Sequence, residues 1–572
     1  MMATAAEEIH HSSPRSENNV TTVSFKITRK NQDRPWKLRF IYLQCYFISV
    51  ATILGTGILG LPVTIAHAGL LPFLLSFVTG FFIQALLIYL FVDLLQRCRV
   101  AQMESVKMSG SERILMQEVG LEEPVITSPD VEEDEEEGED PDRGLLQRDV
   151  SVRSLENIPE PNLHIMGVLF LNKYMSHAFN FILLFQFISI GISYTLAGSE
   201  AYADLLHVSH IYVIPVFTWV LSLGILLAQF VIQPITSLLT LIKGTLLVVT
   251  VSVTFVLGSE VHQEMTNDFT QIGKPFLMGT VALGGIVNVM PFLFSEISHN
   301  KSQIMWFRRM ILGGLFTCSV LNILWCWAVL EIVPQLSVQR VLTEDGVWNK
   351  SSVSGQASPQ TYSFVYSNVS LEEAERAGEI ATIPLTKIIN QKHSRFSWVA
   401  ELIQIFIAVS ITVSFLVMGS AMKHTIDGLA NAHWDMGADG MSKACERSLA
   451  HSLRGCSMRR FGNGLMSLLA FGVIFIVAAF DPKGFVVMLD KVVSFSLNTE
   501  VGLFIVIMLR TSRSEPYRQL SVPLPVDERT FQMHWILPVY FLFAVGYDIF
   551  ISLTEVADSW IQTQSQVTNS TH

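Results

Sequence analysis

The sequence predicts an all-helical integral membrane protein of eleven transmembrane helices, built as a 5+5 inverted repeat with broken helices 1 and 6. Three observations predict it. Of 572 residues, 50% are hydrophobic and only 15% charged, against about 25% charged in an ordinary soluble chain. Apolar windows of roughly 20 residues, the length that spans a bilayer core about 30 Å thick, recur along the chain. The first and sixth windows carry the same spacing of helix breakers.

The windows fall near residues 41–66, 70–95, 178–205, 211–231, 235–258, 275–296, 309–333, 396–420, 463–480, 485–509 and 533–553. No cleavable signal is expected ahead of them, because the first forty residues are polar. The domain plan is a cytoplasmic tail (1–39), crossings one and two (40–96), a cytoplasmic loop (97–165), crossings three to seven (166–333), an outer loop (334–395), crossings eight to eleven (396–553) and an outer tail (554–572). The net charge of −12 is concentrated in the loop. From Arg97 to Asn162 it holds about eighteen acidic against about seven basic residues. The run Glu132-Glu133-Asp134-Glu135-Glu136-Glu137 has too little apolar surface to order itself, so the loop is expected to be disordered. An acidic balance also argues against a nucleic-acid partner.

Lysine and arginine set the orientation. Lys26, Arg29, Lys30, Arg34, Lys37 and Arg39 precede the first crossing and place the N-terminus in the cytoplasm. Alternation then puts Arg97, Arg308, Arg309, Arg454 and Arg513 on the same side. The sequons at Asn349, Asn368 and Asn569 fall outside, where glycosylation occurs; matches at Asn19 and Asn300 fall inside and are read as chance. No cysteine lies in an outer loop. Cys45, Cys318 and Cys326 are placed in crossings and Cys98, Cys445 and Cys456 in cytoplasmic segments, so no disulfide is expected. The spacing of Cys445, His451 and Cys456 fits no zinc pattern. No catalytic triad, Walker motif, metal motif or cofactor motif is present, so the chain is read as a non-enzyme without cofactor.

The breakers are Gly55-Thr56-Gly57-Ile58-Leu59-Gly60-Leu61-Pro62 and Gly284-Gly285-Ile286-Val287-Asn288-Val289-Met290-Pro291. Glycine leads proline by the same interval in both, five crossings apart, as an inverted repeat of five helices would give. Non-helical backbone at membrane depth is tolerated where it is buried in protein or lines a cavity. Amides at the start of a second half-helix attract anions.

The first motif, continuing to Ala66-His67-Ala68-Gly69, resembles the first-helix signature of the amino acid/auxin permease family, of the amino acid–polyamine–organocation superfamily with its LeuT-type fold. Met290-Pro291-Phe292-Leu293-Phe294-Ser295-Glu296 resembles that family's sixth-helix end. Gly191-Ile192-Ser193-Tyr194 is similar to its tyrosine-bearing third helix, and Ser414-Phe415-Leu416 to the eighth helix of the related tryptophan/tyrosine permeases. The resemblance implies a secondary transporter of amino acids. The alternative is a transporter-like sensor or scaffold that binds the same ligand without net transport.

On that reading the substrate carboxylate meets the amides of Gly55, Thr56 and Gly57, and the sixth-helix break, with Gly284, Gly285 and Asn288, accepts its ammonium. The resemblance implies that the Tyr194 hydroxyl donates to the carboxylate. The family often places a bulky aromatic where this chain has Gly284-Gly285. Either a wider pocket or loss of the usual gate would follow, and the wider pocket is the expectation. Coupling follows from further residues. In sodium-coupled members the position of Ala51 is asparagine; a methyl group cannot ligate sodium, although Ser410, Thr412 and Ser414 carry hydroxyls. Lys243 lies deep in the fifth crossing, where a charge costs roughly 2.5–3.5 kcal/mol on insertion scales and marks a functional candidate. It resembles a fifth-helix lysine of some proton-coupled superfamily members, whose ammonium stands in for sodium; the other reading has it snorkelling to the inner surface. Glu500 in the tenth crossing is a second proton site or a structural ion pair, while Asp548 and Glu401 are placed at the interface. Tyr517-Arg518-Gln519-Leu520 matches a tyrosine-based sorting pattern, and plasma and endolysosomal membranes remain equally open.

Overall fold

The computed structural model describes residues 35–119, 161–227, 229–261, 263, 265–342, 362–366, 369–392, 394–441, 449–480 and 488–570. Two compact units, Met1–Ile41 and Tyr42–His572, make up the chain. Of the first only the opening turns of a helix are described, and all that follows concerns the second. Eleven helices among the described residues are long and apolar enough to cross a membrane, and the chain is a multi-pass membrane protein.

Crossing one is α1 (Pro35–Thr64) and crossing two α2 (Leu70–Val119). The turn between them depends on Gly69, at φ 83°, where a Cβ would run into the Thr266 carbonyl. α2 continues well past residue 96, so the segment assigned to the acidic loop begins as helix, and Cys98 is buried in it rather than exposed in a loop. The acidic run itself lies outside the described residues, as do Asn349, Asn368 and Cys445. The chain returns as the short α3 (Leu163–Phe170), which Asn162 caps by accepting from the Ile165 amide at 2.8 Å.

Crossings three to five are α4 (Lys173–Leu206), α5 (His210–Leu227) and α6 (Gln229–Val261). Crossing six is two helices, α7 (Gly273–Gly284) and α8 (Ile286–Ser295), separated by Gly285 alone. Crossing seven is α9 (Lys301–Ile332), capped by the Asn300 side chain at 3.2 Å from the Ser302 amide. The loop after crossing seven adds a small hairpin to the all-helical bundle: β1 (Val338–Leu342) pairs antiparallel with β2 (Tyr362–Tyr366) before α10 (Leu371–Ala377) and α11 (Thr382–Lys392). Crossings eight and nine are α12 (Ser397–Met441) and α13 (Leu449–Phe480). Crossing ten alternates π-helical turns, Met488–Val493 and Glu500–Ile505, with α14 (Ser494–Thr499) and α15 (Val506–Thr511). After α16 (Glu528–Gln532), α17 (Ile536–Ser570) is crossing eleven and carries Asn569 near its end.

The broken first helix is not observed. α1 is helical from Pro35 to Thr64, through Gly55, Gly57 and Pro62. Proline cannot bond the carbonyl four residues back, here that of Ile58. The Trp325 indole N–H on α9 donates to that oxygen at 2.8 Å, so the bond missing from the helix is supplied by tertiary structure. The sixth crossing does interrupt, but only by one turn residue.

Burial orders the bundle. The crossing windows of α1 and of α7–α8 are 94% and 83% buried, that of α17 only 22%. Crossings one and six are therefore the centre, and the fourth, ninth and eleventh present Val216, Val220, Leu469 and Val539 outward, as a lipid-facing surface does. At the Thr64 end of α1, α10 and α11 lie over the bundle: Val63, Ala374 and Ala381 form one buried cluster, and Lys274 pairs with Glu375 at 2.6 Å. Glu372 there is partly buried, yet the Ser337 amide and hydroxyl and the nearby Arg376 hold its carboxyl below the usual range. At the other end Asp93 is buried between Arg97 (3.0 Å) and Arg513 (3.1 Å). Tyr517 donates its hydroxyl to the Leu169 carbonyl at 2.7 Å and stacks edge-on against Phe170, and Leu520 is buried. Both anchor side chains of the candidate sorting motif are folded into the protein.

Candidate functional site

Lys243 is fully buried in α6 and does not snorkel. Its ammonium donates to the Ala51 carbonyl of α1 (3.0 Å), to the Ser410 carbonyl of α12 (3.3 Å) and to the Ser414 hydroxyl of α12 (2.9 Å). Three crossings thus meet at one positive charge. Ala51 contributes what its methyl cannot, a backbone oxygen. Ser414 also bonds the Ser410 carbonyl at 2.9 Å and contacts the Tyr194 hydroxyl. Thr412 is not part of this set; it is engaged with Tyr202 at 2.9 Å and with the Ala408 carbonyl.

Tyr194 and Ser414 both lie against Gly55, in the space a Cβ would fill. Gly57 is likewise covered by Asn322 of α9, whose Oδ1 would stand 2.7 Å from a Cβ. Asn322 is fully buried, and neither its Oδ1 nor its Nδ2 has a hydrogen-bond partner among the described residues. The expected grouping of Gly55, Gly57 and Tyr194 is therefore present, but the amides of Gly55, Thr56 and Gly57 belong to a continuous helix rather than a free terminus. That is a correction to the expected anion site.

A narrow cavity is lined by Thr52, Ile190, Tyr194, Val281, Gly285, Met418, Val493 and Leu497, from crossings one, three, six, eight and ten. In this conformation it is closed down to a size near one water molecule. Lys243 stands beside it: Ala51 adjoins Thr52, and Ser414 is one turn from Met418. The two glycines differ. Gly285 borders the cavity, and nothing nearer than Thr52 Cγ2, at 3.8 Å, opposes a Cβ there. The room left by Gly284 is taken by Leu497, whose Cδ2 would be 2.5 Å from a Cβ. The wider pocket expected from the missing aromatic is not observed, because the tenth crossing fills half of it. A second, lipid-facing groove between α6 and α9, walled by Val251, Phe255 and Leu324, presents almost only apolar surface.

Asn288 lies one turn beyond Gly285, away from the cavity. Its amide joins the fully buried Glu500 to Gln186 of α4: one end stands 3.1 and 3.2 Å from the two carboxylate oxygens and the other 2.7 Å from Gln186 Nε2, and the nitrogen is the end assigned to the carboxylate when Glu500 is ionised. Gln186 also hydrogen-bonds Glu500. Asp548, expected at the interface, is buried. It bonds Ser494 and lies near Lys491, which pairs with Glu555. Gln186, Asn322 and Thr52 were missed by sequence reasoning; the signal for the first two is an amide side chain inside an apolar run.

No protein-family model matches the chain, and no curated protein sequence matches it. Among solved structures it is similar to the manganese transporter of Eremococcus coleocola. The crystal structure of that protein in complex with an aromatic bis-isothiourea substituted compound is 11% identical, with 90% of this chain and 88% of that chain covered and a TM-score of 0.47. A histidine-to-alanine mutant is 12% identical, with 92% and 88% covered and a TM-score of 0.48. A glutamate-to-glutamine mutant is 12% identical, with 95% and 92% covered and a TM-score of 0.48.

Proposed function

We propose that the chain is a secondary active transporter of small neutral amino acids or close analogues, proton-coupled or uncoupled rather than sodium-coupled, working by alternating access with its N-terminus in the cytoplasm. One observation carries the reading: a buried ammonium tied to Ala51, Ser410 and Ser414 beside a five-walled cavity. Lys243 supplies a cation that can give up its charge. Protonated, it holds α6 against α1 and α12; deprotonated, it keeps at most weaker bonds and lets those helices part. The hydroxyls of Thr52 and Tyr194 suit the charged end of a zwitterion, and Ile190, Val281, Met418 and Leu497 suit an uncharged side chain. The same ammonium repels a divalent cation, so the manganese of the structural neighbours is not transferred to this site. The site conformation is occluded; loading requires α1 to open at Gly55–Gly57, where each glycine lowers helix stability by about 1 kcal/mol.

Purified full chain in liposomes loaded with alanine or leucine, offered the radiolabelled amino acid at neutral and acidic external pH, tests this. Counterflow that depends on external pH is expected, and Lys243→Gln retains counterflow but loses that dependence. Saturable binding without counterflow would establish the sensor alternative, and the absence of both would refute the reading.

A further inference from the structure

Three crossings each place a cavity residue and, one turn further from the Thr64 end of α1, an amide or acid. Ile190 is followed by Gln186 on α4, Gly285 by Asn288 on α8, and Leu497 by Glu500 on crossing ten. A helical turn rises about 5 Å, so Gln186, Asn288 and Glu500 form a floor beneath the cavity. It faces the end that holds Asp93, Arg97 and Arg513, the end that the basic residues assign to the cytoplasm.

The floor has two hydrogen-bond registers. With Glu500 ionised, the Asn288 amide donates to both carboxylate oxygens and accepts from Gln186. With Glu500 protonated, the carboxyl O–H donates to the Asn288 oxygen. The Asn288 nitrogen then donates to Gln186 Oε1, the atom left without a partner in the first register. Both amides rotate, one proton is added to one carboxylate oxygen, and the Gln186 Nε2 bond to Glu500 is given up.

The two registers differ in the charge they bury. The turn Glu500–Ile505 packs against α4, α14, α15 and α17. The charged groups and histidines whose side chains are described on these elements are Lys173, His177, Glu200 and Asp204 on α4, Arg510 on α15, and Asp548 and Glu555 on α17; the phenols are Tyr174, Tyr194 and Tyr202 on α4 and Tyr540 and Tyr547 on α17. None of them forms an ion pair with the Glu500 carboxylate, whose hydrogen-bond partners among the described residues are the two amides. Lys491, on the same crossing, pairs with Glu555. A carboxylate without a cation inside an apolar core must recruit water or lose its charge.

We propose that Gln186, Asn288 and Glu500 are a proton-operated floor of the cavity, closed on the neutral carboxyl and opened to the cytoplasmic side when Glu500 ionises. The assignment rests on the carrier reading for its purpose but not for its test. Hydrogen exchange of the purified full chain, without substrate, is followed in Ile286–Ser295 and Glu500–Thr511 from acidic to alkaline buffer. Rates are referred to Glu500→Gln, an uncharged mimic of the closed register, which removes the intrinsic pH dependence of exchange. Exchange in the wild type is expected to exceed that of Glu500→Gln by about tenfold in alkaline buffer and to equal it in acid. Glu500→Asp keeps the pH dependence. Equal exchange at every pH overturns the proposal, and so does a Glu500→Gln floor that exchanges freely at all pH. Should Glu500→Gln fail to fold, the wild-type series corrected by peptide reference rates decides alone. Failure of alanine counterflow with this exchange pattern intact would count against the carrier and not against the floor.

Discussion

At Lys243 the cost of burying an ammonium is offset by three oxygens drawn from two other helices. A charge so held is a structural clasp as well as a candidate proton carrier, and Lys243→Gln is expected to lose about 2 kcal/mol of stability along with the pH dependence described above. Outside the membrane-spanning segments, His299 titrates in the opposite sense to a salt-bridged histidine. Burial, and then the charge of Arg99, push it down from 6.5 to about 4. The unfolded chain therefore binds the extra proton first. Stability is complete above about pH 6.5 and falls as the pH drops from there to about 4. His299→Gln should flatten that acid-side loss, on the order of 2 kcal/mol, in thermal melts across the same range. Lys243 and Glu500 were legible in the sequence because a full charge inside an apolar run stands out. Gln186 and Asn322 were not, because a neutral amide barely disturbs hydropathy and gains its meaning only from what it faces.

Single elements show where local reading ends. In crossing six the glycine pair does interrupt the helix, and Gly285 borders the cavity as expected. Gly284, adjacent in sequence, points its missing volume at Leu497, a partner more than two hundred residues away that no local pattern reveals. The two positions should respond differently. Gly285→Ala is expected to leave folding and uptake near normal, whereas Gly285→Leu fills the cavity and weakens alanine binding by at least about tenfold with an unchanged melting temperature. A parallel loss of melting temperature would place Gly285 in packing rather than binding. The π-helical turns of crossing ten, Met488–Val493 and Glu500–Ile505, were equally invisible to an apolar pattern.

At the scale of the whole molecule, hydropathy alone located all eleven crossings, because a bilayer demands the same apolar length from each helix. What it missed lies at the ends: α2 and α12 run on beyond the apolar windows, and β1 pairs with β2 in the loop after crossing seven. The orientation makes a separate prediction. Enzymatic deglycosylation of the protein from cells should lower its apparent mass, and the shift should shrink with Asn349→Gln and Asn368→Gln combined. An N-terminal epitope should be protected from protease in sealed cells.

The Trp325 indole has a consequence for how such a molecule could change shape. A helix containing Pro62 keeps its continuity on loan, since the contact that closes the gap at Ile58 is owned by a neighbouring crossing. Sliding that neighbour by little more than a bond length withdraws the loan, and the central rod divides at a point already chosen. Loosening at Ile58 would thus be commanded from α9, directly beyond the Gly55–Gly57 stretch at which α1 itself is weakest.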